Sequence, residues 1–223
     1  MNPRKSKKSY NTITKSDLET QLPLEKRKDN ILKIAIAGVG GVGKTTLCQR
    51  AMGRILDDYF SDYKITIGVQ FFTHNMDSEV GPVCLSIWDL AGQPQFHQIV
   101  DRFLIGSKGV ILAYDSTNID SYFSLHHIWI PLIQQHCGEN TPIVLVSTKN
   151  DLNEKQQVSP ELVWEFIDAK EENKHNIIGF LETSSKDNTN VKETFETIAN
   201  KILAVELENY NESKTASVSV PSK

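Results

Sequence analysis

The segment GVGGVGKTT, residues 38 to 46, lies between an apolar run of strand length, ILKIAIA (31–37), and an amphipathic stretch that begins at Lys44. Gly38, four further residues, then Gly43, Lys44 and Thr45 satisfy the pattern GxxxxGK[ST]. Such a loop restricts the fold, because a strand must enter it and a helix must leave it. Glycines permit backbone dihedrals closed to other residues and let the main chain approach a phosphate oxygen within hydrogen-bonding distance. The helix N-terminus adds favourable partial charge, Lys44 can reach the β- and γ-phosphates, and the Thr45 hydroxyl is placed to bind Mg²⁺. The phosphate-binding residues predicted on this basis are Gly38, Gly40, Gly41, Val42, Gly43, Lys44, Thr45 and Thr46.

Downstream lie five more apolar runs: GVQFFTH (68–74), VCLSIWDL (83–90), GVILAYD (109–115), PIVLVST (142–148) and NIIGFLE (176–182). Their length and their β-branched and aromatic content predict strands, and their largely continuous apolarity suits parallel strands covered on both faces. Helical patterns fall near 44–56, 94–105, 119–136, 159–169 and 190–208. The second and third runs, joined by the turn-like NMDSEVG, read as a hairpin. The predicted fold is α/β and doubly wound: a mostly parallel six-stranded sheet with one antiparallel edge pair, of the P-loop NTPase kind. Ligands of such sheets bind at the carboxyl ends of the strands.

The loops after the fifth and sixth runs decide which base accompanies the phosphates. After the fifth comes TKND, with Asp151 at the strand end, where its carboxylate could accept hydrogen bonds from N1–H and the exocyclic amine of guanine. Adenine lacks those donors, and a buried carboxylate left unpaired with the wrong base discriminates strongly. Lys149 can lay its aliphatic stem along the purine plane. Thr148 opens TKND and is counted with the nucleotide-binding residues. After the sixth run, ETSSK (182–186) offers backbone N–H groups of Ser184, Ser185 and Lys186 to the guanine O6.

Taken in order, these motifs resemble the Ras superfamily of small GTPases over roughly residues 31 to 205. GVGGVGKT is similar to the family's phosphate loop, Thr66 in YKITIGVQF to the switch I threonine, WDLAGQ (88–93) to the switch II DxxGQ, TKND to NKxD, and ETSSK to ETSAK. The resemblance implies a small G-domain, GTP and GDP as substrate and product, Mg²⁺ as cofactor and two-state switching. By position, Asp89 would hold a Mg²⁺-bound water, while Thr66 would reach Mg²⁺ and the γ-phosphate only when that phosphate is present. The Gly92 N–H would also contact the γ-phosphate, and Gln93 would orient the attacking water. Tyr59 matches an aromatic stacked on the guanine edge. Catalytic roles therefore fall to Gln93, Lys44, Thr66 and Gly92, and metal binding to Thr45, Thr66 and, through water, Asp89. Asp115 and Ser116 receive no role. ITIGVQF and IWDLAGQ are similar to Rab proteins, whereas IWIPLIQQHCGENTPIVLVSTKNDL is similar to the Rho and Rac group.

Pro94 departs from the Rab pattern, where glutamate is usual; it either restricts Gln93 or opens the switch II helix at a position proline tolerates. No arginine lies between Asp57 and Thr66, so hydrolysis is expected to be slow without an activating protein. Exchange factor, activator and effectors are expected to meet residues 57–74 and 89–105. A module that binds GTP or GDP without cycling is the alternative, and an ATP-directed enzyme is disfavoured by TKND and ETSSK.

The domain division expected from composition is a basic arm over 1–30, the G domain over 31–208 and a disordered tail over 209–223. The arm carries eight basic residues against four acidic ones and could contact anionic lipid or an acidic partner. The chain ends in VPSK with no cysteine after Cys137, so no prenyl anchor is expected. A net charge of -4 argues against a nucleic-acid partner. Three widely spaced cysteines suit reduced thiols, and the expected location is the cytoplasm, peripheral to a membrane if the arm binds one.

Overall fold

The computed structural model describes residues 31–54, 66–78, 81–168 and 175–218. The arm at 1–30, Tyr59 and the last five residues lie outside these.

Six strands form one sheet: β1 (Ile31–Ala37), β2 (Val69–Ser78), β3 (Gly81–Leu90), β4 (Gly109–Asp115), β5 (Ile143–Thr148) and β6 (Ile177–Glu182), in the spatial order β2-β3-β1-β4-β5-β6. All neighbours pair parallel except β2 and β3, which pair antiparallel at one edge. The doubly wound, mostly parallel sheet expected from the apolar runs is therefore the one observed. Although β1 and β4 read as unbroken apolar runs, their side chains still alternate between two faces. Ile34, Ile36 and Ile111 join a core with Leu47 of α1 (Lys44–Ala51) and Phe195 and Ile198 of α6 (Val191–Val218). Ala35, Ala37, Val110 and Leu112 join the other core. There they meet Val100 of α2 (His97–Leu104), Trp129, Ile133 of α4 (Ile130–Cys137) and Val163 of α5 (Pro160–Asp168). Two buried faces explain why these strands carry so few polar residues.

Three elements differ from the sequence expectation, each for a physical reason. The hairpin strands run through most of NMDSEVG, because Phe72, His74 and Met76 keep a period-two contact with the core, His74 against Phe195, while Thr73 and Asn75 face outward. The helix expected over 119–136 is divided: α3 (Ile119–Ser124) is followed by a π-helical stretch, Leu125–Trp129, before α4 begins. Pro131 in the first turn of α4 has no N–H to give and would collide with the carbonyl four residues back, so the preceding turn widens. The last helix does not stop near residue 208 but continues to Val218, so residues 209–218 are helical rather than an irregular tail. Each residue added to an existing helix gains a hydrogen bond without repeating the nucleation cost, which lets a packed segment carry a polar end.

The sheet order reverses between β1 and β4, which run side by side while their following helices leave toward opposite faces. A crevice at the carboxyl ends of these strands is where an open α/β sheet receives its ligand.

Candidate nucleotide-binding site

At the end of β1 the chain turns through Gly38, whose φ of +136° is closed to most side chains; a Cβ there would lie 2.1 Å from the Ala113 carbonyl oxygen of β4. Gly43, with φ +99°, leads into α1 in a left-handed conformation. The helix has no side-chain cap at its N-terminus and no acidic residue in its first turn. First-turn N–H groups have no partner within a helix, so they face an open, electropositive end suited to an anion.

Lys44 is nearly buried beneath this loop and donates to the carbonyl oxygens of Gly38 at 2.7 Å and Val39 at 2.9 Å. Two carbonyls use two of its three protons and aim the third. Burial lowers its pKa to about 8, with the charge of Asp89 pulling the other way. Asp89, at the end of β3, is 0% exposed, and burial raises its pKa to about 6 against the Thr45 hydrogen bond and the Lys44 charge. A buried acid and a buried ammonium, each pushed toward neutrality, mark a place prepared for further charge.

The oxygens of three separated segments converge beside Lys44. Thr45 Oγ1 donates to Asp89 Oδ2 and lies 2.9 Å from Thr66 Oγ1, while Asp89 Oδ1 is buried without a hydrogen-bond partner. Hydroxyl and carboxylate oxygens are the donor set of a hard cation such as Mg²⁺, and the orphaned oxygen fits a bound ion or its water. Among the described residues no group of three His, Cys, Asp or Glu side chains could hold a metal, so a softer ion has no comparable cluster there.

The segment after β3 rests directly on the glycine-rich loop after β1. Gly40 N–H donates to the Gly92 carbonyl at 3.0 Å, and a Cβ on Gly92 would sit 2.2 to 2.4 Å from the backbone of Val39, Gly38 and Gly40. Gln93 comes next, and its Oε1 accepts from Gln95 Nε2 at 2.8 Å. Pro94 begins a 3₁₀ turn, Pro94–Phe96, closed by Phe96 N–H donating to Gln93 O at 3.0 Å and leading into α2. Of the two readings of Pro94, the helix-opening one matches this geometry.

The other end of the crevice is built by β5, β6 and their loops. Thr148 Oγ1 lies 2.6 Å from the Val42 carbonyl and 2.9 Å from that of Tyr114. One hydroxyl has one proton, so it braces the phosphate loop with less bonding than the two protons of an amide would give. Asp151 Oδ1 accepts from Ser184 Oγ at 2.8 Å, and Lys186 Nζ stands 3.9 Å from Oδ2. Asn150 donates its side-chain amide to Ser147 O at 2.9 Å and Thr183 O at 3.2 Å, tying the loops after β5 and β6 together. Thr183 Oγ1 in turn donates to Ser147 O at 2.9 Å. Sequence reasoning singles out neither Asn150 nor Thr183, although both stand inside TKND and ETSSK. Ser185 occupies the turn after Ser184, between the residues that meet Asp151.

The structure thus brings Gly38, Gly40, Gly41, Val42, Gly43, Lys44, Thr45, Thr46, Thr66, Asp89, Gly92 and Gln93 to one end of the crevice. Thr148, Lys149, Asp151, Ser184, Ser185 and Lys186 stand at the other.

This chain belongs to the Ras family, whose family model matches residues 33–204. It is 36% identical over 185 residues to GTP-binding protein YPT1 of Saccharomyces cerevisiae, covering 82% of this chain and 85% of that one. It is 36% identical over 167 residues to Ras-related protein RABD2b of Arabidopsis thaliana, covering 75% and 78%. To Ras-related protein Rab-8B of Pongo abelii it is 34% identical over 202 residues, covering 90% and 92%. The protein is a Rab-like small GTPase, a GTP-binding molecular switch.

Proposed function

We propose that the protein binds GTP and GDP together with Mg²⁺, hydrolyses GTP slowly, and signals by the order of the segments tied to the γ-phosphate. The observation that carries this reading is the convergence of Thr45, Thr66 and Asp89 oxygens beside the buried Lys44. Mg²⁺, when bound, would neutralise charge on the β- and γ-phosphate oxygens, and Thr45, Thr66 and Asp89 would hold it. Lys44 holds the phosphate chain from below, and the loop N–H groups hold it along its length. Asp151 accepts from the guanine edge, and Ser184, Ser185 and Lys186 close over its O6. Thr66 and the Gly92 N–H bind on the γ-phosphate side, so loss of one phosphate releases two segments together. Gln93 orients the water for in-line attack.

Nothing in the described part of the site supplies an arginine to the leaving charge. Hydrolysis in Ras without such a residue runs at roughly 10⁻⁴ s⁻¹ and rises about 10⁵-fold with an activator. An activating protein in trans would therefore lower the barrier by about 7 kcal/mol, at 1.36 kcal/mol per decade. Exchange factors and effectors would read the same switch surfaces. Service in membrane traffic or cytoskeletal signalling fits the Rab-like and Rho-like motifs, with the basic arm making peripheral contact with anionic lipid. Among the described residues no helix is long and apolar enough to cross a membrane.

A second reading, a nucleotide-held interaction module that does not cycle, is favoured by one contact. Gln93 Oε1, the oxygen a reacting water would bond, is already engaged by Gln95. Single-turnover hydrolysis separates the two: the full chain is loaded with GTP and Mg²⁺, and bound GTP and GDP are followed over hours. The switch predicts conversion at about 10⁻⁴ s⁻¹, slowed at least about tenfold by Gln93→Leu. GTP that remains intact in the unmodified chain establishes the module instead.

A further inference from the structure

Asp115 has no part in the phosphate, metal or base contacts above, yet its carboxylate is buried and every face of it is engaged. Oδ2 accepts from Lys149 Nζ at 2.6 Å. Oδ1 accepts from the Thr117 N–H at 2.9 Å and from Thr117 Oγ1 at 2.7 Å. The main chain is equally fixed: Asp115 N–H donates to Ser121 Oγ at 3.0 Å, and its carbonyl accepts from Asn118 N–H at 3.0 Å. Asn118 in turn caps the first turn of α3 through Asp120 and Ser121. Strand β4 therefore ends in a rigid turn that presents one carboxylate oxygen to a residue 34 positions away.

The recipient is conformationally unusual. Lys149 has φ +59°, in the left-handed region that a non-glycine residue enters at a cost. Thr148, just before it, is the register partner of Asp115 across the parallel pair of β4 and β5. The lysine side chain is 38% exposed while the carboxylate it meets is 8% exposed. Its head is thus anchored at a buried point while the side chain as a whole stays more than a third exposed, two residues from Asp151.

We propose that Asp115 is a positioning residue for the base. It clamps the Lys149 ammonium so that the aliphatic stem forms a preformed wall for the purine plane. This rests on the guanine-binding reading of TKND. A free lysine would lose most of its rotamer freedom when a base packed on it, whereas a clamped one has lost that freedom already. The ion pair also cancels the ammonium charge locally, so the lysine offers contact area in place of a point charge. Because the wall touches the ring face, it serves any purine equally; selection among purines stays with Asp151.

The test is the dissociation of fluorescent N-methylanthraniloyl-GDP from the full chain with Mg²⁺, chased by excess GDP. The variants are Asp115→Asn, Lys149→Ala and the double variant, each also followed with the inosine analogue. Asp115→Asn is expected to release nucleotide about tenfold faster, as loss of a charge-assisted hydrogen bond would give. The factor should be the same for the guanine and inosine forms. Lys149→Ala should match it, and the double variant should be no faster than either alone, since both remove one device. A purely structural Asp115 predicts multiplying effects in the double variant, and that result overturns the proposal, as does a change of less than twofold in Asp115→Asn. Should Asp115→Asn fail to fold, Thr117→Val removes one donor from Oδ1 and is expected to speed release about threefold, less than the full clamp; no acceleration there is equally decisive. A wild-type chain that holds neither GDP nor its analogue overturns the guanine reading instead, so the two failures are distinguishable.

Discussion

Asp151→Asn is expected to move the preference of the site from guanine to xanthine. A carboxylate accepts from both N1–H and the exocyclic amine of guanine; an amide offers one acceptor and one donor, and its donor suits the C2 carbonyl that xanthine carries in place of the amine. The side chain is well placed for this exchange, because Ser184 Oγ already bonds Oδ1 at 2.8 Å and fixes the plane of the group. Sites that hydrogen-bond a substrate group reject analogues lacking it by roughly 10⁴-fold, so a loss of GDP affinity of about 10³-fold or more is expected, with a gain for XDP. Competition of GDP and XDP against a fluorescent nucleotide measures both. Retention of GDP affinity within tenfold would show that Asp151 does not read the base.

The second large effect comes from a single methyl group. Gly92→Ala places a Cβ within 2.4 Å of three backbone atoms of the phosphate loop, where no side-chain rotation can relieve the contact. Either switch II lifts or the phosphate loop moves, and the Gly40 N–H to Gly92 O bond at 3.0 Å breaks in both cases. Gln93 moves with its neighbour. A misplacement of about 1 Å can cost around 10²-fold in rate, so single-turnover hydrolysis should fall by about that factor while GDP is still bound through the base loops. Overpacking also costs roughly 1–3 kcal/mol of stability, to be read as a lower melting midpoint. Hydrolysis within threefold of the unmodified chain would mean that the close approach of these loops is irrelevant to turnover.

The loop after β1 is readable in the sequence because glycine spacing is a direct record of main-chain geometry. Gly38 can be nothing else where the Ala113 carbonyl lies 2.1 Å from its Cβ position. Thr45 is named by the GK[ST] pattern, whereas Thr66 and Asp89 are named only by resemblance to the switch motifs; what the structure adds is that the three side chains meet. Asp115 is not: a carboxylate at a strand end has many uses, and its partner Lys149 becomes a neighbour only through the parallel pairing of β4 and β5. Asn150 escapes notice for a related reason, since its work is to tie Ser147 and Thr183 together across two strands that the sequence shows only one at a time.

Fold class is likewise plain in the sequence, but its irregularities are not. The nearly unbroken apolar runs of β1, β4 and β5 specify a sheet covered on both faces, while β2 and β3 alternate. The π-helical stretch before Pro131 leaves the apolar period nearly intact and so leaves no trace in the pattern. The polar end of α6 shows the reverse case: residues 209–218 carry no packing signal, and their helix continues from the packed turns before it.

The most direct measurement is the affinity of the full chain, with Mg²⁺, for GDP and ADP by displacement of fluorescent GDP. The two ligands differ only at the base, so phosphate contacts and stacking on the Lys149 stem cancel, and the comparison reads Asp151 and the ETSSK loop. A preference for GDP of about 10³-fold or more is the predicted result. Comparable binding of ADP would contradict the assignment of TKND as the guanine-reading element, and with it the account of the site.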